Sequence, residues 1–134
     1  MENCIFCKII NKEIPCYKIY EDEKTLAFLD ISNDTYGHTL VVPKNHSKNI
    51  LDVKEDDITA VMKTIQKVCN HYINSCGFDG INILNNNEEC AEQSVFHLHF
   101  HLIPRKNNDG LKVFPSLNKT TLSLEDVKNK LEIK

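Results

Sequence analysis

At 134 residues the chain is long enough to bury one core and too short for two, so a single domain is expected. Its formal net charge of −3 provides no general attraction to nucleic acid or to an anionic membrane, so a polyanionic ligand has to be held by local chemistry. The longest apolar runs, such as TLVVP at 39–43, are far too short to span a bilayer, and the amino end has no basic stretch followed by an apolar one. Without a secretory signal, six cysteines argue for reduced thiols, and the expected location is the cytoplasm, or also the nucleus in a eukaryote.

From Cys4 to Lys12 the pattern predicts a short helix with Ile5, Phe6, Ile9 and Ile10 on one side, stopped by Pro15. Two strand-like runs follow, YKIYE and TLAFLDI, with DEK between them as a hairpin connection. SNDTYG is turn chemistry, and HTLVVPK is a third strand ended by Pro43. The longest helical pattern starts near Asp52, where Glu55 three residues on completes a capping box. Ile58, Val61, Met62, Ile65, Val68, Cys69, Tyr72, Ile73 and Cys76 recur at helical spacing, and Gly77 marks the stop. On that face Cys69 and Cys76 read as small core residues. INILN from Ile81 is a fourth strand, NNEECAEQ a polar loop, and VFHLHFHLIP a fifth strand ended by Pro104. The tail is irregular up to a short helix from Ser123, with Leu124, Val127, Lys128 and Leu131 at helical spacing. The fold class is α+β: a five-stranded antiparallel sheet with one long helix and short flanking helices.

The chemistry concentrates in SVFHLHFHLIPR, where three of the six histidines alternate. Side chains on a strand point to opposite faces with a period of two, so Val95, His97, His99, His101 and Ile103 share one face. Phe96, Leu98, Phe100 and Leu102 share the other, which should lie on the core. Two chemistries are open to the row. His-x-His on a strand is a common ligand pair, and a third imidazole would complete a catalytic zinc site. Cys4-x-x-Cys7 is a second ligand pair of structural-zinc spacing, and His46 and His97 are available to complete its set. That would leave His99 and His101 free of metal, and an imidazole can attack phosphorus to form a covalent intermediate. His38 on a neighbouring strand could join them, while NNNEECAEQS offers amides, a hydroxyl and backbone N–H groups to phosphate oxygens. Asp30 is placed to accept from sugar hydroxyls, or else it caps its own turn.

Taken in order, CIFCKII, AFLDI, GHTLVVPKNH and QSVFHLHFHLIPR resemble the nucleotide-binding branch of the histidine triad family, whose signature is His-x-His-x-His followed by two apolar residues. The likeness runs from Cys4 to about Gly110, so residues 1–110 are expected to form the histidine triad domain. Residues 111–134 would then be an extension packed on it. The resemblance implies a homodimer with a continuous sheet and a pocket for a purine nucleoside monophosphate. It also implies hydrolysis at the α-phosphate through a nucleotidyl-histidine, as in cleavage of AMP-amine compounds. Dinucleoside polyphosphate hydrolysis and non-catalytic nucleotide binding are the competing roles. On this chain His99 would be the nucleophile, with His101 and His38 on the phosphate or orienting it, and Asp30 on the ribose. Asn86, Gln93 and Ser94 would approach the phosphate and leaving group, and Ile5, Phe6, Ile9, Phe28, Ile31 and Leu40 would line the base and sugar pocket. Cys4, Cys7, His46 and His97 would hold a structural Zn²⁺. No nucleic acid or membrane partner is implied.

The chain departs from the pattern of the family it resembles in the loop before the triad, where Glu88 and Glu92 stand in place of the usual glycines. A carboxylate close to a phosphate costs electrostatic energy. Glu88 is expected to point outward, and Glu92 is left open.

Overall fold

The computed structural model describes residues 3–32 and 34–134; Met1, Glu2 and Asn33, the last within the predicted SNDTYG turn, lie outside the described residues. The elements run α1 (Ile5–Ile10), β1 (Lys18–Glu21), β2 (Thr25–Leu29), β3 (Thr39–Pro43), α2 (Glu55–Ser75), β4 (Gly80–Leu84), β5 (Phe100–Arg105) and α3 (Leu124–Leu131). The strands form one antiparallel sheet of five in the order β1-β2-β3-β5-β4, which is the expected α+β architecture.

One face of the sheet carries α2. Val61, Ile65, Val68 and Tyr72 on the helix pack against Ala27, Val41, Leu98, Phe100 and Leu102. Fully burying side chains of this size contributes about 1.5–3 kcal/mol each. Two hydroxyl pairs fix the helix on the strands: Thr64 with Thr25 and Tyr72 with Thr39, both at 2.6 Å. On the other face α1 lays Phe6 on Leu26, Phe28, Leu40 and Val42, with Ile9 and Val95 at the margin. The histidine row therefore lies under α1, and the apolar row lies under α2.

Several local expectations are corrected. The fifth strand begins at Phe100, and residues 94–99 are irregular, with a backbone bond from Leu98 N–H to the Ser47 carbonyl holding them in place. The bend turns Phe96 out of the apolar row, leaving it 45% exposed beneath the Lys48 ammonium, which sits 5.4 Å from its ring centre. Pro104 does not end β5: it pairs with Ile81 of β4, beyond Phe100–Leu102, the part that β3 pairs with, so the ladder there tolerates its missing N–H. The helix α2 starts at Glu55 with Lys54 as N-cap, because the Asp52 carboxylate is already taken by the N–H groups of Lys48 and Asn49. Cys69 is half-buried against the core as expected, whereas Cys76 is exposed at the C-cap. Gly77 has φ +79, and the Phe78 N–H reaches back to the Tyr72 carbonyl, closing the helix end.

The extension is anchored at its root, where the Arg105 guanidinium binds Asp109 and the Leu111 carbonyl. Farther on, α3 is capped by Ser123 and buries none of its residues in the single chain. All six cysteines are free thiols. No helix among the described residues is long and apolar enough to cross a membrane.

Candidate active site

Three features converge where β3 meets β5. The first is the pair His38 and His101, brought together by the β3–β5 register, in which Leu40 lies opposite His101. His38 Nδ1 is 2.8 Å from the Asp34 carboxylate, and its Nε2 is 2.9 Å from His101 Nδ1. With Asp34 ionised, His38 donates from Nδ1 and accepts at Nε2 from the Nδ1–H of His101. This fixes the tautomer of both rings and leaves His101 Nε2 with a free lone pair. The hydrogen bond from His38 holds the Asp34 carboxyl below its usual range. Gly37 makes the approach possible: it sits at φ +86, and a Cβ there would meet the Pro104 ring at 3.1 Å.

The second feature is His99. Its Nδ1–H donates to the His97 carbonyl at 2.8 Å, so Nε2 is the free nitrogen. Its ring lies 5.0 Å from that of His101 and 5.1 Å from that of Phe6, edge to face with each. Burial pushes the His99 pKa down, and burial with the neighbouring His99 and His38 pushes His101 down to about 4. Both rings are therefore neutral at pH 7, the form in which an imidazole is a nucleophile or an acceptor.

The third feature is a cluster of Cys4, Cys7, His46 and His97, whose donor atoms all lie within 4.8 Å of one another. His97 Nδ1 is 3.3 Å from Cys4 Sγ, 3.5 Å from Cys7 Sγ and 3.2 Å from His46 Nδ1, and Cys7 Sγ is 3.4 Å from His46 Nδ1. A tetrahedral Zn²⁺ with ordinary bond lengths separates its ligand atoms by about 3.3–3.8 Å, so these residues fit such an ion. The Nε2–H of His97 donates to the Pro43 carbonyl at 2.8 Å, which turns Nδ1 toward the cluster. Cys4 also caps α1, its Sγ accepting from the Cys7 N–H.

The remaining predicted residues divide. Asp30 accepts from the Ser32 N–H, as a turn residue would, and its other oxygen lies 3.8 Å from His38 Nε2. Asn86 lines a cavity of about 570 Å³ together with His38 and His101. Ser94 is exposed and lines a separate hollow with Cys4, His46 and Phe96. Phe6, Phe28 and Leu40 are buried core, Ile9 is half-buried, and Ile31 is 83% exposed. Gln93 is buried with all of its amide occupied. It accepts from Asn49 and the Glu88 N–H and donates to the carbonyls of Lys48 and Val95.

That network includes a residue that patterning missed. Asn49 is 1% exposed and binds Glu88 at 2.6 Å, Gln93 at 3.1 Å and the Leu51 N–H at 2.9 Å. The PKNH run pointed only to His46, and a single Asn three residues on carries no signal of its own. Glu88 also pairs with Lys48 at 2.9 Å, so its carboxylate turns away from the histidines as expected. Asn49→Ala would strand three partners of a buried amide and is expected to destabilise the fold by about 2 kcal/mol in urea unfolding; an unchanged midpoint would show the network to be idle.

Residues 11–108 match the HIT domain. The chain belongs to the HIT domain family. Among its HIT relatives, an uncharacterized HIT-like protein of Borreliella burgdorferi is 50% identical, over 96% of this chain and 93% of its own length. Adenosine 5'-monophosphoramidase hnt1 of Schizosaccharomyces pombe is 38% identical, over 94% of this chain and 91% of its own. A zinc-bound histidine triad family protein of Mycobacterium smegmatis superposes with TM-score 0.79 at 36% identity, covering 87% of this chain and 85% of that one. The chain is accordingly a nucleotide hydrolase of the HIT type.

Proposed function

We propose that the chain cleaves purine nucleoside phosphoramidates, AMP-amine compounds, at the α-phosphate through a nucleotidyl intermediate on His99. The observation that carries this reading is the orientation of His99: a buried, neutral ring with Nδ1–H tied to the His97 carbonyl and Nε2 left free. The attack forms an Nε2–P bond and breaks the P–N bond, leaving the positive charge of the intermediate on a ring whose Nδ1–H is already hydrogen-bonded. The phosphate anion bound beside His101 brings a proton onto its Nε2, the departing amine nitrogen takes that proton, and the chain of His101, His38 and Asp34 is left with neutral rings. Water then replaces Nε2 on phosphorus and returns one proton to the same chain. A bound phosphate anion counteracts the burial that depresses His101 in the free protein. Asp30 holds the ribose, Asn86 and Ser94 approach the phosphate, and Gln93 positions the loop that carries Ser94.

In this reading Cys4, Cys7, His46 and His97 hold a structural zinc ion, which fixes α1 to the segment bearing His99 and takes no part in the chemistry. A homodimer belongs to the same proposal: β4 is a sheet edge with Ile83 51% exposed, and a second copy would continue the sheet there. With its thiols free, the protein works in the reducing cytoplasm.

The direct test is an alkaline denaturing quench of the protein during turnover of adenosine 5'-phosphoramidate, since the P–N bond of a nucleotidyl-histidine is lost in acid and kept in alkali. A nucleotidyl adduct mapped to His99 is expected, and steady turnover with no adduct would remove the covalent route. The pH profile supplies a second prediction. Protonation of Nε2 ends nucleophilicity, and burial lowers the pH at which it occurs, so the acid limb of kcat/KM should fall below the usual imidazole value of about 6.5. A limb centred at or above that value would contradict a buried nucleophile.

A further inference from the structure

The cavity beside the histidine pair has a wall that the proposed reaction leaves unassigned. It is lined by His38, His101 and Asn86 on one side and by Asp34, Glu92 and Lys112 on others, with Leu111, Val113 and Pro115 of the extension closing it. Nucleophile and ribose anchor lie elsewhere, at His99 and Asp30. The space next to His101 is therefore where a group leaving phosphorus would go. Of the acidic residues in this region, Glu88 is spent on Lys48 and Asn49, and Asp34 is spent on His38. The Glu92 carboxylate has no hydrogen bond or ion pair among the described residues. Its backbone holds φ +70, a left-handed conformation that costs a side-chain-bearing residue about 1 kcal/mol relative to glycine. Two carboxylates and one ammonium give the cavity an excess of one negative charge, above an apolar strip suited to an alkyl stem.

We propose that Glu92 is a specificity-determining residue that selects leaving amines carrying a positive charge on a short alkyl stem, and disfavours anionic leaving groups. This rests on the phosphoramidate reading above, and it names the leaving-group class for that same site. An ammonium on the stem pairs with Glu92, whereas a carboxylate or sulfate in that space meets like charge. No covalent step involves Glu92.

Three adenosine 5'-phosphoramidates separate the possibilities, with N-linked four-carbon chains that end in a methyl, an ammonium or a carboxylate group. Wild type should cleave the ammonium compound with a kcat/KM about tenfold above the carboxylate compound, the combined scale of one partly solvated attraction and one partly solvated repulsion. In Glu92→Gln, which keeps size and backbone cost, that ratio should collapse to within about twofold. In wild type it should shrink at about 1 M salt, where screening acts over about 3 Å. Equal cleavage of the charged pair by wild type, or a ratio that survives in Glu92→Gln, would overturn the role of Glu92 and leave the hydrolase reading standing. Failure of wild type to cleave any of the three would overturn the hydrolase reading itself, and the leaving-group assignment with it.

Discussion

Replacing His99 by glycine or alanine is expected to lower turnover of an adenosine phosphoramidate by at least about 1,000-fold and to abolish the nucleotidyl adduct. The expectation follows from what surrounds the ring. His97 is turned to the cysteine cluster by its bond to Pro43, and His101 is tied through Nδ1 to His38. His99 and His101 each keep a free Nε2 on a ring neutral at pH 7, but the Nδ1–H of His99 is held by a backbone carbonyl, whereas that of His101 is engaged in the relay with His38 and Asp34. A role confined to orientation would lose less, because water could still attack a phosphate held by the remaining groups. Nucleotide release under single-turnover conditions reads the loss, and AMP affinity measured on the same variants shows whether the pocket survives. A variant that keeps a tenth or more of the wild-type rate would place the nucleophile elsewhere.

The second large effect concerns the amino end. Cys4→Ser or Cys7→Ser should remove one equivalent of bound zinc and lower the melting temperature by about 10 °C or more, the shift expected when a chain of this size loses about 3 kcal/mol. Burial, with Cys4 beside it, holds the Cys7 thiol up at about 11 in the metal-free chain, so capture of an ion has to displace a proton. Zinc retention should accordingly weaken as pH falls. The activity should decline with the fold, because His97, a member of the cluster, is two residues from His99 and its carbonyl accepts the Nδ1–H of that ring. Metal analysis showing no zinc in the purified wild-type chain, or a melting temperature indifferent to chelator, would sink the structural-ion assignment.

Much of the site was legible because its residues have strong types at informative spacings. Cys4-x-x-Cys7 and the alternating histidines each announce chemistry, and the sheet then brings Cys4 and Cys7 together with His46 and His97, the set that the family resemblance implied. The long helix was legible from periodicity, but its start was not. Asp52 and Glu55 spell a capping box, and only the folded loop shows Asp52 already engaged with Lys48 and Asn49. Phe96 misled for a related reason: alternation in the sequence persists through a stretch whose backbone is bent, so its side chain left the row. Gln93 and Asn49 were opaque because their roles are reciprocal, each satisfying the other across 44 positions. No local pattern encodes such a pair. Glu88 and Glu92 looked equivalent in the sequence, yet one faces Lys48 and the other lines the cavity.

The sheet order also bears on how the protein becomes active. β1, β2 and β3 are neighbours in sequence and in space, so that meander closes through short loops. The β3–β5 seam instead joins His38 to His101 across 63 positions, and the cluster joins Cys4 to His97 across 93. Loop-closure entropy makes contacts of such separation late and slow relative to hairpins. A nascent or partly refolded chain can therefore hold most of its local structure while the relay pair is still apart, and enzymatic competence arrives with the last long-range closure.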